Sequence, residues 1–309
     1  MAKAAGVALS SCLLTACFTG VEGTKTITMS RHDVKQTAPT EEEKYLAEIA
    51  PEPLSRWKPG RRFFVADDRL GVLLIQRSLP GDESLHPHRG DTLTFIGTQT
   101  ESHPNGKTTV ALQLQGDRHR YLYDTGKTPA EAPTDFDSFD MEALIDLDAI
   151  DALSGKMTGQ RYWTRTSLWY DADDEDFKGR KYVAVTVDSI RPGNMVFPVK
   201  VSFSDADGAK GNYYMNLEGG GSSSSRRFSN LFYLNDLKKR YPSITPEVWQ
   251  LICDGKVALG MTKQECRLSF GAPLESDSGR SYTSTLDLWQ YDGGRYLKFE
   301  DGVLVDFRQ

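Results

Sequence analysis

Short runs of β-branched, aromatic and aliphatic residues, separated by turn sequences, are the feature that most limits the folds open to this chain of 309 residues. Turn residues lie between the runs at Pro80-Gly81, Pro104-Asn105 and Gly116-Asp117. Strands of this length and spacing are typical of a small barrel or sandwich. The first five predicted strands are 62–65, 72–75, 92–96, 109–114 and 121–123.

A second set of runs repeats the pattern of the first. The segment 58–65 (KPGRRFFV) aligns with 157–164 (MTGQRYWT), and in each copy a glycine heads the next strand. We therefore predict two copies of one small β-barrel, with an SH3-like barrel as the nearest common type, in a first β module at 41–128 and a second at 129–217. The paired residues are Gly60 and Gly159, Arg62 and Arg161, and the heading glycines Gly90 and Gly179.

The first 16 residues differ from the rest of the chain. They carry one charge, Lys3, followed by an apolar run rich in small residues. This run is shorter than the roughly 20 residues that span a bilayer, and its features predict a signal peptide at 1–16. The residues Leu14-Thr15-Ala16-Cys17 resemble the bacterial lipobox, in which the cysteine is diacylated and becomes the new N-terminus.

Lipidation of Cys17 would attach the chain to a membrane. Each buried CH₂ contributes about 0.8 kcal/mol, so several acyl chains anchor a protein durably. The polar segment 17–40, rich in Thr and Gly, is predicted to be a tether. At its end Thr40 with Glu43 forms a capping box, which predicts the start of a short helix. The alternative is an ordinary cleaved signal in which Cys17 is incidental.

The C-terminal part changes from β-runs to helix signals. A flexible linker is predicted at 218–242 from its Gly and Ser content. Thr245 followed by Pro246 predicts one helix start, and Thr262 with Glu265 forms the capping box of a second helix. Strands are predicted at 286–291, 294–299 and 303–307. The predicted order of elements in a C-terminal domain at 243–309 is therefore ααβββ. The overall prediction is a β-rich α+β chain.

Four motifs carry a family resemblance. They are GMTKQE at 260–265, FGAP at 270–273, WQY at 289–291 and YLKFEDGVL at 296–304. In this order and spacing they make the tail similar to the SmpA/OmlA (BamE-like) family. Members are typically lipoproteins on the periplasmic side of the Gram-negative outer membrane. The founding member is an accessory of the machinery that inserts β-barrel proteins.

The resemblance implies an outer-membrane lipoprotein that faces the periplasm and contacts other envelope proteins. This chain departs from the short founding type because β-rich sequence precedes the domain. Related domains also occur in proteins with other binding roles. The second reading, from a different class, is an envelope protein whose β modules hold peptide or glycan on exposed aromatic residues, for which Trp163, Trp169 and Tyr170 are the candidates.

The sequence gives only weak signals for a metal site. His86 and His88, with His103 or His119, could bind a metal, but the prolines and glycines around them favour a solvated loop. The segment 171–176 offers alternating carboxylates, yet glycine is missing at the sixth position and glutamate at the twelfth. We expect a charged loop there. No metal or other cofactor is predicted.

Catalytic and nucleic-acid functions are also disfavoured. No nucleophile elbow, zinc-protease helix, phosphate loop or dinucleotide fingerprint occurs, and no histidine follows His119. The chain is therefore predicted not to be an enzyme. Its formal net charge of −6 argues against a nucleic-acid partner, because phosphate binding requires a dominant basic face.

Two further features leave alternatives open. Cys253 and Cys266 could pair in an oxidising compartment, and a loop of about 14 residues closed by a disulfide would contribute roughly 3 kcal/mol. Against this, Cys266 is placed to pack on Met261 as a helix staple. The basic spots at 226–227 and 238–240 flank aromatic residues that either dock on a neighbouring domain or meet lipid headgroups or a partner.

Overall fold

The computed structural model describes residues 39–49, 52–75, 86–117, 119–132, 141, 143–217, 226–280 and 283–309. The fold is mixed α+β with strands dominating, at 23% helix and 38% strand, and it includes a sheet that curls into a half-barrel. The predicted β-rich α+β class is confirmed at this level. The SH3-like barrel type and the BamE-like module remain predictions.

The first sheet has five strands in the order β4-β3-β2-β1-β5, all antiparallel. Before it lie α1 (Glu41–Tyr45), which has the predicted capping box at Thr40, and 3-10 turns at Ala47–Ile49 and Leu54–Arg56. The strands are β1 (Arg62–Val65), β2 (Thr92–Ser102), β3 (Thr108–Gln115), β4 (Arg120–Asp124) and β5 (Leu144–Asp146).

The predicted strand at 72–75 is wrong. A one-turn helix, α2 (Leu70–Leu73), occupies most of it, and only Leu74 makes an isolated bridge to Tyr123. Leu70 and Leu74 are buried in the core while Val72 is 83% exposed. This spacing of four between buried residues is helical, and the short aliphatic run did not distinguish it from a strand.

The second sheet has seven strands in the order β12-β6-β9-β10-β11-β7-β8. The helices α3 (Leu147–Met157) and α4 (Phe228–Leu231) belong to this part of the chain, and α3 begins at the N-cap Asp146. The strands are β6 (Arg161–Thr164), β7 (Leu168–Tyr170), β8 (Asp176–Lys178), β9 (Ala184–Pro192), β10 (Val199–Asp205), β11 (Lys210–Met215) and β12 (Phe232–Tyr233).

The predicted module boundaries do not follow sheet membership. β5 lies within 129–217 but pairs with β1 of the first sheet, through Phe64 and Ile145. β12 lies within the predicted linker but pairs with β6. Each of these short strands completes the edge of a sheet formed by an earlier segment.

The C-terminal unit, residues 243–309, has two helices and a four-stranded antiparallel sheet in the order β13-β14-β15-β16. A 3-10 turn at Leu237–Arg240 precedes it. Thr245 and Thr262 cap the helices as predicted. The elements are α5 (Pro246–Cys253), α6 (Lys263–Phe270), β13 (Glu275–Arg280), β14 (Thr285–Gln290), a 3-10 turn at Asp292–Gly294, β15 (Tyr296–Glu300) and β16 (Val303–Arg308).

The prediction of three C-terminal strands is therefore wrong, because the structure has four. β13 has the sequence ESDSGR, and every side chain in it is exposed. Without an apolar alternation it gave no strand signal. It forms because six consecutive residues pair in register with β14.

Candidate interaction surfaces

The predicted lipidation site belongs to a part of the chain that the structure does not describe. Cys17, the predicted signal peptide 1–16 and most of the tether 17–40 lie outside the described residues. Among the residues that the structure does describe, no helix is both long and apolar enough to cross a membrane.

Trp169 was predicted to be exposed, and this is wrong. Its side chain is 2% exposed and packs edge-on against Phe203, with ring centroids 5.0 Å apart. Gly179 and Gly211 make room for the indole, since a Cβ on either would come within 2.2 and 2.7 Å of it. Trp169 is a core residue, so it cannot form part of a binding surface.

Tyr170 and Trp163 are half-buried and lie at different places on the sheet. Trp163 pairs with Tyr233 of β12, whereas Tyr170 pairs with Asn212 of β11. The three residues grouped by the sequence therefore do not form one surface. Tyr170 does form a cluster, with Arg226 of the predicted basic spot at 226–227 and with two aromatic residues that the sequence analysis did not single out.

This arginine–aromatic cluster consists of Tyr170, Phe197, Tyr214 and Arg226. The Arg226 guanidinium carbon lies 4.5 Å from the Phe197 ring centroid and 5.2 Å from that of Tyr170, and its Nη2 donates to the Tyr170 hydroxyl at 2.5 Å. Tyr170 meets Tyr214 edge-on at 5.3 Å. Burial and a hydrogen bond with Asp174 raise the pKa of the Tyr214 hydroxyl, so the cluster offers neutral aromatic rings beside a fixed cation.

The sheet of the C-terminal unit has two unlike faces. One face packs Trp289, Leu297, Phe299 and Leu304 against the two helices in a shared core. On the other face the register places Leu286, Glu300 and Val303 in one row. Leu286 is 36% and Val303 40% exposed, and the next rows combine Leu288 with Lys298 and Asp306, and Gln290 with Tyr296 and Arg308.

This outward face belongs to a region with unusually many exposed apolar side chains. Of the nine large hydrophobic residues that are exposed in the described part of the chain, five lie between residues 259 and 305. Exposed apolar side chains interspersed with charges are typical of protein-contact surfaces. The five are Leu259, Leu274, Leu286, Val303 and Val305.

A basic cluster lies beside the same unit. The three exposed cations of the turn at Leu237–Arg240 precede Tyr241, which lines an open cavity of about 400 Å³ together with Lys263, Arg267 and Trp289. The Arg267 guanidinium carbon lies 5.1 Å from the Trp289 ring. Phe228 and Phe232, by contrast, are fully buried in the core of the seven-stranded sheet, as expected for aromatics that dock on a neighbouring element.

The two remaining cysteines are free thiols in the C-terminal core. Cys253 is 1% and Cys266 0% exposed. Burial raises the pKa of both, that of Cys266 to about 12, so neither thiol is ionised at neutral pH. Their oxidation to a disulfide stays a prediction.

The acidic loop and the histidines that the structure describes form no metal site. Asp171 uses one carboxylate oxygen to accept from the backbone of Asp173 and Glu175, so it stabilises its own turn. His103 contacts Thr109 at 2.7 Å and Asp124 at 3.1 Å. Within the described residues no three His, Cys, Asp or Glu side chains are close enough to hold an ion; His32 lies outside them.

Comparison with known proteins adds no relative. No family model, curated protein or solved structure matches this chain.

Proposed function

We propose that this chain is an outer-membrane lipoprotein, anchored through Cys17, that acts as a non-catalytic scaffold or accessory in assembly of the cell envelope. The observation that carries the proposal is the outward face of the C-terminal sheet, defined by Leu286, Leu288, Tyr296 and Val303, with its exposed apolar side chains among charges. The BamE-like motifs in the same segment support a protein-binding role in the periplasm.

The anchor is tested by Cys17→Ala. We expect the wild-type chain to fractionate with outer membranes and to take up labelled fatty acid, and the variant to lose both. Cys12→Ala is the matched control, because it removes a cysteine from the signal segment and leaves the lipobox intact. Labelling that persists in Cys17→Ala would rule out this attachment site.

The scaffold role is tested by a double variant, Leu286→Lys with Leu288→Lys, in the full chain. Two charges on the outward face should abolish recovery of outer-membrane assembly proteins from solubilised envelopes. Val72→Lys is the control, because Val72 is 83% exposed and lies beside the first sheet. Equal recovery with the double variant and the control would remove this face from the proposal.

A second candidate function is binding of peptide or glycan by the β modules. The arginine–aromatic cluster favours it, since aromatic rings beside a guanidinium suit both ligand classes. Tyr170→Ala should then abolish saturable binding by the full chain, measured by calorimetry with peptidoglycan fragments or short peptides. Trp163→Ala is the control, because it removes a half-buried aromatic at another place on the same sheet.

A further inference from the structure

The segment between β8 and β9 reaches from the seven-stranded sheet to the ends of both C-terminal helices. The Lys181 N–H donates to the carbonyl of Cys253 at 3.2 Å, at the end of α5. The Tyr182 hydroxyl donates to the carbonyl of Leu268 at 3.2 Å, in the last turn of α6. The Lys181 ammonium donates to the carbonyl of Ser269 in the same turn.

These acceptors are the groups that a helix leaves without internal partners. The last four carbonyls of an α-helix have no intrahelical donor, and the C-terminus carries a partial negative charge. Two consecutive residues of the segment between β8 and β9 therefore supply three donors to the ends of two helices. Arg180 adds contacts to Asp254 at 3.5 Å and Gln250 at 3.3 Å.

Tyr182 is held in a conformation that costs energy. Its φ is +57°, a left-handed value that non-glycine residues adopt at a cost of roughly 1–2 kcal/mol. The ring is nevertheless buried in the C-terminal core, 6.2 Å from Trp249. Backbone strain that persists where surrounding contacts impose it marks a position with a specific role.

The charge of Lys181 destabilises this set of contacts. The half-buried ammonium makes no ion pair with a carboxylate anywhere in the described residues. It contacts the Ser269 carbonyl and the Tyr182 ring, whose centroid is 5.6 Å away. The nearby titratable groups are Lys178 at the end of β8, Arg180, and Cys253 and Asp254 at the C-terminal end of α5. Asp254 is engaged by Arg180. A desolvated charge without a counter-ion opposes the closed state.

We propose that residues 180–182 form a latch that joins the seven-stranded sheet to the C-terminal unit, and that the Lys181 ammonium keeps this latch able to open. Opening lets the ammonium return to water and releases the strain at Tyr182. Closing caps both helices and buries the Tyr182 ring.

The pKa of Lys181 agrees with this balance. Burial lowers it from 10.5 to about 8, which means that the closed state disfavours the charged amine. A lowering of this size corresponds to an opening equilibrium roughly 300-fold larger for the ammonium than for a neutral amine in the same place. Removing the charge should therefore close the latch.

Cys253 provides a built-in probe of opening, because its thiol is 1% exposed and its carbonyl is held by Lys181. The full chain is treated with iodoacetamide under native conditions at one fixed pH, and labelling of the Cys253 peptide is followed by mass spectrometry. Lys181→Met should slow this labelling at least about tenfold. Tyr182→Phe, which removes only the bond to Leu268, should speed it up about fivefold.

Lys210→Met is the matched control, since Lys210 is an exposed lysine of β11 in the same sheet, and its labelling rate should stay within about twofold of wild type. Cys266 labelling measures opening of the C-terminal core in the same samples. The latch is overturned if Lys181→Met labels Cys253 as fast as wild type or faster. It is equally overturned if both variants change Cys253 and Cys266 in parallel, because the unit would then open as a whole.

Discussion

The first and second sheets contain the same backbone pattern, and they differ where the second sheet meets other parts of the chain. In the first, the N–H of Gly60 donates to Phe95, that of Phe95 to Arg61, and that of Val65 to Asp91. In the second, Gly159 donates to Val187, Val187 to Gln160, and Thr164 to Val183. β1 and β6 also share one pattern of burial.

One bond of this pattern pairs two different residue types. Gly90 donates to the carbonyl of Val65, and Tyr182 donates to that of Thr164. Both positions have positive φ, +101° for Gly90 and +57° for Tyr182. The sequence alignment paired Gly90 with Gly179 instead, and the hydrogen bonds correct it. The second copy thus places a strained tyrosine where the first has an unstrained glycine.

The second copy of the shared backbone framework therefore gains contacts with other parts of the chain at only a few positions. The second sheet carries two extra strands, β7 and β8, which bring Trp169 into its core. It also carries Tyr182, which enters the C-terminal core. Changes at Trp169 and Tyr182 should affect the second copy strongly, while changes to the shared framework should affect both copies alike.

The largest effect is expected from Trp169→Ala. Loss of a fully buried indole should lower the free energy of unfolding by about 3–5 kcal/mol. Urea unfolding followed by circular dichroism measures it. Trp163→Ala, at a half-buried position of the same sheet, should cost clearly less, and equal losses would mean that the added strands contribute nothing particular to this core.

Tyr182→Gly should have the next largest effect, lowering the free energy of unfolding by about 2–4 kcal/mol. Loss of the buried ring is costly, and relief of the left-handed backbone offsets about 1 kcal/mol of that cost. The reverse exchange, Gly90→Tyr, introduces the strain without a core to receive the ring. If Tyr182→Gly proved neutral in the same urea titration, the ring would not be holding the C-terminal unit.

Lys181→Met separates the charge of the latch from its shape. Because the folded-state pKa of Lys181 is lowered to about 8, the unfolded chain binds more protons between pH 8 and 10.5. Stability therefore rises with pH in that window, by roughly 3 kcal/mol at most. Burial raises the pKa of Tyr182 to about 12, so its own contribution to the pH dependence falls mainly above pH 9.5 and is common to both proteins. The informative quantity is therefore the difference between wild type and variant from pH 7 to 9.5.

The expected result is a difference that shrinks as pH rises. The variant should be the more stable protein at pH 7, and the two curves should converge toward pH 9.5. Parallel curves would show that the Lys181 amine is as well solvated in the folded protein as in the unfolded one.

The parts of the fold that the sequence predicted are those with local signals. Capping residues at Thr40, Thr245 and Thr262 marked helix starts correctly, because capping is a property of four or five neighbouring residues. β13 and β8 have only exposed side chains and gave no signal. Their pairing depends on partners elsewhere in the chain.

The candidate surfaces were less predictable for the same reason. Trp169 and Tyr170 are adjacent in sequence, and a strand turns adjacent side chains to opposite faces. Trp169 lies in the core, and Tyr170 lies in the arginine–aromatic cluster. Nothing in the sequence placed Arg226 beside Phe197, because two strands, β10 and β11, lie between them in the chain. The sequence did not indicate the latch, because Lys181 and Tyr182 fit the residue pattern at the start of an ordinary strand.

The smallest effects test the shared framework itself. Gly60 and Gly159 have φ of +104° and +76°, and a Cβ on either would meet no atom within 4 Å. The cost of Gly60→Ala and of Gly159→Ala should therefore be backbone strain alone, about 1–2 kcal/mol for each. Gly155→Ala is the control, because this glycine lies in α3 with equal space and without positive φ. It should stabilise by about 0.5–1 kcal/mol. Unequal costs at Gly60 and Gly159 would show that the two copies share hydrogen bonds without sharing their energetics.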